Sequence, residues 1–174
     1  PNSYEFYWNS TGGDFRDKML IEYNRFWTDK RIKRARALKL TRTQVIALAS
    51  IVQKETAKIS ERPTVAGLYL NRIKRRIPLQ ADPTIIYALK EKHGKDFVVK
   101  RVLLKDLKIK SPYNTYQNRG VPPTLIAMPD ISSIDAVLFA QEHNYIYMCA
   151  SVDKVGYHAF ASTLRKHNIN AAKY

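Results

Sequence analysis

The protein has 174 residues, a length typical of one domain, and hydrophobic residues make up 45% of them, which excludes disorder as the main state. The 30 Lys and Arg exceed the 15 Asp and Glu and give a formal net charge of +15, which indicates a polyanionic partner or surrounding. The single cysteine, Cys149, excludes an internal disulfide framework and a cysteine-rich zinc site.

Three helices are predicted in the first half of the chain. Apolar residues recur at steps of three and four from Gly12 to about Leu38, the pattern of an amphipathic helix. A capping box at Thr41 to Gln44 opens a second helix that should end near Ala57. Ser60 is the expected N-cap of a third helix, with Pro63 in its first turn and Tyr69 on its buried side. The second and third helices should form a hairpin.

A fourth helix and a long loop follow. The helix should run from Pro83 to about Lys92, with Asp82 as its N-cap and Gly94 as its end. Residues 111–130 contain several prolines and show little periodicity, which indicates a long ordered loop of the kind that is often functional.

The C-terminal part predicts a short helix, a β-hairpin and a last helix. Ser132 should restart a helix that ends near Glu142. Residues 145–150 and 157–160 are aromatic and β-prone and flank a turn, as in a hairpin. A final helix should start at Ser162. Together these elements predict an α-rich α+β domain.

Glu55 is the most informative residue of the second helix. It follows Leu48, Ile51 and Val52 by seven, four and three residues, so its carboxylate lies on the apolar side of the helix. Apolar surroundings and the negative end of the helix dipole both raise the pKa of a carboxyl group, as a general acid requires. The alternative is an exposed helix-end residue that pairs with Lys54, Lys58 or Arg62.

Carboxylates are scarce around Glu55, since the only other acid between Thr43 and Ala81 is Glu61. The usual glycosidase needs two carboxylates. One is enough if the substrate supplies the attacking hydroxyl, because the acid can protonate the glycosidic oxygen and then take the proton from that hydroxyl. This is the scheme of a lytic transglycosylase. A hydrolase that uses Asp82 or Glu61 as a second carboxylate is an open alternative.

Several short motifs arrive along the chain in a fixed order. They are Leu48 to Thr56, Ser60 to Arg62, Asn71-Arg72, Leu79 to Thr84, Tyr113 to Tyr116 and Gly120 to Pro123. Each is weak alone, but together they resemble the MltG (YceG-like) family of endolytic murein transglycosylases, from about Thr41 to the C-terminus. The family's catalytic glutamate is the second acid of its E-K-E-T motif, which falls on Glu55. The first acid is Gln53 here, which argues against a required carboxylate pair on this helix.

The resemblance implies one lysozyme-like catalytic domain over residues 1–174, with an N-terminal helical portion over 1–40 and the core with the motifs over 41–174. It implies cleavage of the β-1,4 bond between N-acetylmuramic acid and N-acetylglucosamine inside glycan strands, which leaves 1,6-anhydro ends during cell-wall synthesis and remodelling. No cofactor and no metal are expected.

The resemblance also implies a substrate cleft lined by Gln80, Asp82, Tyr113, Asn114, Thr115 and Tyr116. Amides and hydroxyls suit the polar groups of a sugar, and tyrosine adds a flat apolar face. Each has a structural alternative: Asp82 can serve only as an N-cap, and Tyr113 to Tyr116 can serve only as loop packing. His158, on a predicted strand, is given no catalytic role.

Family members tend to carry an N-terminal membrane anchor and a LysM-like domain. The chain begins at Pro1 without a signal segment and has no run near the roughly 18 apolar residues of a membrane helix, so we expect a fragment of a longer, anchored envelope protein. The expected partners are peptidoglycan strands and wall synthases such as penicillin-binding proteins. Nucleic acid is not expected, although Lys30 to Lys39 and Lys90 to Lys110 keep a nucleic-acid-binding domain as the alternative from another class.

Overall fold

The computed structural model describes residues 2–173. Their helices are α1 (Gly12–Phe26), α2 (Asp29–Ala37), α3 (Arg42–Glu55), α4 (Arg62–Lys74), α5 (Asp82–His93), α6 (Ile131–Leu138) and α7 (Leu164–Ala171). Two strands, β1 (Tyr147–Ala150) and β2 (His158–Ala161), form an antiparallel pair near the C-terminus. The predicted α-rich α+β fold class is therefore confirmed. No helix in the described range is long and apolar enough to span a membrane.

The single helix predicted over residues 12–38 is wrong, because the chain breaks it into α1 and α2. Trp27 leaves the helical conformation (ψ of 68°) and is buried, and the Thr28 side chain then caps α2 by accepting a hydrogen bond from the Arg31 N–H. Burial of Trp27 in the core thus outweighs continuation of the helical pattern. Ala35 brings α2 into the same core, whereas α1 has no buried residue.

The helices α3 and α4 form the predicted hairpin and carry the centre of the core. The capping box at Thr41 is present as predicted: the Thr41 hydroxyl accepts from the Gln44 N–H, and the Gln44 side chain accepts from the Thr41 N–H. Ser60, however, does not cap α4: a short 3-10 turn occupies Ile59–Glu61 and the helix starts at Arg62. The core is built from Val45, Leu48, Ile51, Val52, Val65, Leu68 and Tyr69, all nearly inaccessible to solvent.

The helix α5 starts one residue earlier than predicted, and Asp82 is not its N-cap. Ala81 holds the N-cap position, and no side chain closes that end of the helix. The Asp82 carboxylate instead accepts a hydrogen bond from Tyr116. The predicted stop at Gly94 is correct, since its φ of 104° lies in the region that favours glycine.

Residues 111–130 form the predicted irregular loop, and α6 follows it directly. Asp130 caps α6 by accepting from the Ser133 N–H, so the helix begins before Ser132 and ends at Leu138, short of Glu142. The chain after α6 then passes tightly against α4. A Cβ at Gly67 would collide with the carbonyl oxygen of Gln141, so glycine is required there for the close approach.

The β-hairpin closes the fold beside α4. Tyr147 pairs with Ala161 and Ala150 pairs with His158, so the register places His158 at the end of the hairpin that adjoins the turn. The last helix, α7, begins at Leu164 with Thr163 as its N-cap, slightly later than the predicted start at Ser162, and packs on the strands.

Candidate active site

Glu55 is the last residue of α3 and faces α4. Its side chain is half-buried, and the hydroxyl of the buried Tyr69 donates a 2.5 Å hydrogen bond to Glu55 Oε1. Within residues 2–173 no cation lies at ion-pair distance from this carboxylate, and Arg62 pairs with Asp130 instead. Glu55 therefore lies on the packed side of the helix, as its spacing predicts, and not in a surface ion pair.

Burial raises the pKa of Glu55 to about 7. The negative charge of Asp82 raises this pKa further, whereas the hydrogen bond from Tyr69 and the electrostatic interactions with His158 and Arg72 lower it. Near neutral pH about half of the Glu55 side chains are then protonated. Such a group can give a proton and take one back.

Tyr69 acts as a hydrogen-bond donor to Glu55. Burial and the nearby charge of Glu55 raise the pKa of Tyr69 well above its ordinary value, so the phenol keeps its proton. Its bond occupies Oε1 of the carboxyl group. No described residue makes a hydrogen bond to Oε2, which leaves that oxygen for a ligand.

Arg72 of α4 is a buried cation that joins three stretches of chain around Glu55. Its guanidinium donates to the carbonyl of Ile146 at 2.7 Å, to the carbonyl of Leu79 at 2.8 Å and to Oε1 of Gln80 at 3.1 Å. These bonds fix the start of the hairpin and the segment before α5 against α4. They also compensate the cost of burying the charge.

Asp82 and Tyr116 meet beside the acid. The Tyr116 hydroxyl donates a 2.6 Å hydrogen bond to Asp82 Oδ1, and Asp82 is exposed at the start of α5. Burial and this bond raise the pKa of Tyr116, so it stays protonated as well. The charge of Asp82 raises the pKa of Glu55, and the charge of Glu55 raises the pKa of Tyr116. Asp82 and Tyr116 therefore lie within electrostatic range of Glu55.

Gln80 is exposed just before α5, and Tyr113 is half-buried in the loop of residues 111–130. Gln80 is exposed with a φ of 53°, and its N–H donates to the Thr115 carbonyl at 3.1 Å. A non-glycine residue in this conformation is strained, and such strain clusters at functional sites. Tyr113 packs on Tyr87 with ring centroids 4.6 Å apart, and its hydroxyl lies 2.8 Å from that of Thr124.

Asn114 and Thr115 are buried, with 0% and 2% of their surface exposed. Asn114 Nδ2 donates to the carbonyls of Leu107 at 2.9 Å and Ile109 at 2.8 Å, and Thr115 Oγ1 accepts from the Ala81 N–H at 3.0 Å. The polar atoms of both side chains are used inside the protein. In this structure they hold the loop that carries Tyr116, and their hydrogen-bonded polar atoms are not free for a ligand.

Glu61 and His158 form a second polar pair near Glu55. Glu61 Oε1 accepts from the His158 backbone N–H at 2.6 Å, and Oε2 lies 2.9 Å from His158 Nδ1. Only 5% of the Glu61 surface is exposed. Both oxygens of Glu61 are thus committed to holding β2 against the start of α4.

Gln53 places an amide where the family motif has its first acid. Its Oε1 accepts from the Asp130 N–H at 2.6 Å and from the Ser133 hydroxyl at 3.1 Å, and its Nε2 donates to the Met128 carbonyl at 3.2 Å. Gln53 therefore ties the loop of residues 111–130 to α3. It contributes no second carboxylate to the site.

Three parts of the site escape prediction from the sequence. Tyr69 is predicted only as a buried helix residue, Arg72 only as part of a motif, and the Glu61 bond to His158 not at all. A phenol on the buried side of the partner helix in the predicted hairpin is the signal that could have found Tyr69, since a buried phenol and a buried carboxyl group both need a hydrogen-bond partner. Among residues 2–173 no three His, Cys, Asp or Glu side chains are grouped as a metal site.

Comparison with known proteins gives one consistent result. The profile of the YceG-like family matches residues 1–173. An endolytic murein transglycosylase from Bacillus subtilis is 34% identical over 174 residues, which is 100% of this chain and 46% of the relative. An endolytic murein transglycosylase from Streptococcus pneumoniae is 32% identical over 135 residues, which is 78% of this chain and 24% of the relative.

A solved structure agrees with these relatives. The crystal structure of a putative yceG-like protein from Listeria monocytogenes aligns with a TM-score of 0.78 at 30% identity and covers 97% of this chain and 53% of that one. The chain thus spans about half or less of the length of the proteins it matches. On the family profile and the identity over its whole length, the chain belongs to the YceG-like family.

Proposed function

We propose that this protein is an endolytic lytic transglycosylase that cleaves the β-1,4 bond between N-acetylmuramic acid and N-acetylglucosamine inside peptidoglycan strands, with Glu55 as its only acid and base. The observation that carries the proposal is the Glu55 carboxyl group itself, which is half-buried, has a pKa of about 7 and is held by one neutral phenol. The names of the Bacillus and Streptococcus relatives support the same reaction.

In the first step protonated Glu55 gives its proton to the glycosidic oxygen. The bond from that oxygen to C1 of N-acetylmuramic acid breaks, and N-acetylglucosamine leaves with a new hydroxyl group. Positive charge develops on the sugar ring, next to a carboxyl group that has just become negative. Since Tyr69 occupies Oε1, the proton transferred is the one on Oε2.

In the second step the Glu55 carboxylate takes the proton from the C6 hydroxyl of N-acetylmuramic acid. The C6 oxygen forms a bond to C1 and closes the 1,6-anhydro ring, and Glu55 returns to its starting form. No water is consumed and no second carboxylate is needed. A pKa near the working pH suits both steps, because the same group must be a competent acid and then a competent base.

We assign the cleft contacts to Gln80, Asp82, Tyr113 and Tyr116, with Asn114 and Thr115 as positioning residues. The first four are exposed or half-buried and offer an amide, a carboxylate and two phenols, which can bind acetamido and hydroxyl groups. The other two are buried and hold the loop in place.

A hydrolase is the second candidate, because a second carboxylate, Asp82, is exposed and its charge raises the pKa of Glu55. In that mechanism Asp82 would activate a water. Glu61 is a poorer choice, since His158 occupies both of its oxygens. The nucleic-acid reading of the basic run on α2 is weakened by Arg31, which pairs with Asp135, and by Arg34, which donates to the Leu138 carbonyl.

Product analysis separates these functions. Peptidoglycan sacculi are digested in water enriched in oxygen-18, and the fragments are analysed by mass spectrometry. We expect 1,6-anhydro ends without the heavy isotope, lost in Glu55→Gln and retained in Glu142→Gln, a matched change at an exposed acid. Reducing ends that carry the isotope, together with their loss in Asp82→Asn, would establish the hydrolase instead.

The place of action follows from the substrate. A peptidoglycan-cleaving enzyme works in the cell envelope, and we propose anchorage at the plasma membrane with the catalytic part on its outer side. The positive net charge of the chain suits a wall that carries stem-peptide carboxylates. Wall synthases, penicillin-binding proteins among them, are the protein partners we propose.

A further inference from the structure

Residues 94–110, here called the basic flap, connect α5 to the loop of residues 111–130. Apart from a 3-10 turn at Asp106–Lys108 the flap has no regular secondary structure. It has only two acids, and its six cations are all exposed, namely Lys95, Lys100, Arg101, Lys105, Lys108 and Lys110. None of the six lies within ion-pair distance of an acid in residues 2–173. The flap therefore presents uncompensated positive charge to the solvent.

The same flap exposes large apolar side chains between its cations. Leu104 is 84% exposed, Val98 75%, Leu103 47% and Phe97 41%. A single exposed apolar residue is ordinary. Four of them between positions 97 and 104, interleaved with Lys100 and its neighbours, make the segment amphiphilic, and exposed apolar side chains in such number are typical of interaction sites.

The flap is part of the folded protein rather than a loose tail. Leu107 is held at its carbonyl by the amides of Asn114 at 2.9 Å and Gln117 at 3.2 Å. The Leu103 N–H donates to the Asp106 carboxylate at 2.9 Å, which fixes the turn that displays Leu103 and Leu104. The exposed side chains are thus presented by an anchored backbone.

We propose that the basic flap binds the surface of an anionic lipid bilayer. Leu103 and Leu104 would enter the boundary between headgroups and acyl chains while the cations meet the lipid phosphates. Cations alone would suit any polyanion, including nucleic acid or the carboxylates of a peptide. The apolar side chains favour lipid, because the acyl boundary of a bilayer can bury them, whereas phosphate and carboxylate groups by themselves offer no apolar surface.

The proposal is independent of the chemistry at Glu55 and goes beyond it. The flap is bonded through Asn114 to the stretch of chain that carries Tyr116. Attachment of the flap to a bilayer would therefore hold the cleft at a set height above the membrane surface. It requires no membrane-spanning helix.

Vesicle sedimentation tests this proposal. The whole chain is mixed at fixed ionic strength with vesicles of equal parts phosphatidylglycerol and phosphatidylcholine, and with vesicles of phosphatidylcholine alone. Three variants are compared with the wild type: Lys100→Gln/Arg101→Gln/Lys105→Gln in the flap, Leu103→Ser/Leu104→Ser in the flap, and Lys33→Gln/Arg36→Gln/Lys74→Gln as a control. The control removes the same charge from exposed positions elsewhere.

We expect binding to the anionic vesicles only. The flap charge variant should bind about 100-fold more weakly, since each cation near an anionic leaflet contributes roughly a fivefold gain in affinity. The affinity of the serine variant for the anionic vesicles should fall at least about tenfold, because burial of one leucine side chain contributes more than about a tenfold gain in affinity. The affinity of the control should change little. Affinity for double-stranded DNA, measured in parallel, should fall in the charge variant and stay unchanged in the serine variant.

Three results would overturn the proposal. Absence of binding to anionic vesicles would do so directly. An equal loss in the control would mean that net charge, not the flap, attracts the protein. Unchanged vesicle binding by the serine variant would make the flap a site for soluble polyanions. All substituted side chains are exposed, so unchanged thermal unfolding serves as the check on folding, with Leu104→Ser alone as the milder variant.

Discussion

Glu55 and Glu61 are six residues apart, on the two sides of the turn between α3 and α4, and the fold uses them in opposite ways. Glu61 is buried and both of its oxygens have partners, the backbone N–H and the ring of His158. Among the residues that the structure describes, Glu55 has one partner, a phenol that keeps its own proton, and its second oxygen has none. The chemical group is the same, and only its partners differ.

This difference separates a carboxylate that supports the structure from one that can react. Satisfied hydrogen bonds stabilise a buried charge and make it inert. A buried carboxyl group with too few partners is instead pushed toward its neutral form, which costs stability and provides an acid. Four measurements test this contrast between Glu55 and Glu61.

The largest effect should come from Glu55→Gln. General acid and base assistance is worth about 10² to 10⁴ in rate, so the release of fragments from peptidoglycan at pH 7 should fall by that factor. Glu61→Gln should lose far less activity at temperatures where it is folded, as judged by circular dichroism. Equal losses in both variants would remove the distinction between the two acids.

The next effect is on stability against pH. Glu55 has a pKa of about 7 in the folded protein, well above the roughly 4.3 of an unfolded chain. Between these values the folded state holds a proton that the unfolded state has lost, so the free energy of unfolding should fall as pH rises, by about 3 kcal/mol in all. Below about pH 4 Glu55 is protonated in both the folded and the unfolded state, so the free energy of unfolding no longer depends on its titration.

Urea unfolding of wild type and Glu55→Gln at pH 5 and pH 8 measures this term. The variant should match the wild type more closely at pH 5 and be more stable than it at pH 8 by up to about 3 kcal/mol. A variant that is less stable at pH 8 would show that the Glu55 carboxylate is well accommodated, contrary to its assigned environment.

A smaller loss of folding stability should follow Glu61→Ala. The substitution leaves the His158 N–H inside the protein without its acceptor, which costs about 1 to 3 kcal/mol. Chemical denaturation at pH 7 measures it, with Glu142→Ala at an exposed site as the control. If both variants unfold at the same denaturant concentration, the bond between Glu61 and His158 does not stabilise the hairpin.

The smallest effect should come from Tyr69→Phe. The Tyr69 hydrogen bond lowers the pKa of Glu55, and a net hydrogen bond is worth about 1 kcal/mol, so its removal should raise this pKa by roughly one unit. The alkaline limb of kcat/KM against pH should move up by that amount. A lower rate with an unmoved profile would restrict Tyr69 to a packing role.

Local patterns predict much of the fold, and contacts between distant residues explain what they miss. The capping box at Thr41 and the stop at Gly94 depend on neighbouring residues only, and both are correct. The break at Trp27 follows from burial against a core that the local pattern does not describe. The same holds for Asp82, whose local pattern indicates an N-cap while its real partner, Tyr116, lies 34 positions away.

In the candidate site, too, local patterns predict one feature, and contacts between distant residues determine the others. The position of Glu55 on the packed side of its helix follows from its offsets to apolar residues of the same helix. The bond from Tyr69 crosses the helical hairpin and lies 14 residues away, so no periodicity of one helix contains it. The buried state of Asn114 follows from two carbonyls on the flap, which no local motif of the loop could indicate.

The bond between Glu61 and His158 spans 97 positions of the chain. A ribosome makes proteins from the N-terminus, and domains generally fold as units. The helix that carries the acid therefore emerges long before the strand that completes its surroundings. Until the C-terminal hairpin leaves the ribosome, a growing chain holds Glu55 without His158, one of the residues that lower its pKa, so a truncated product would carry Glu55 in incomplete surroundings.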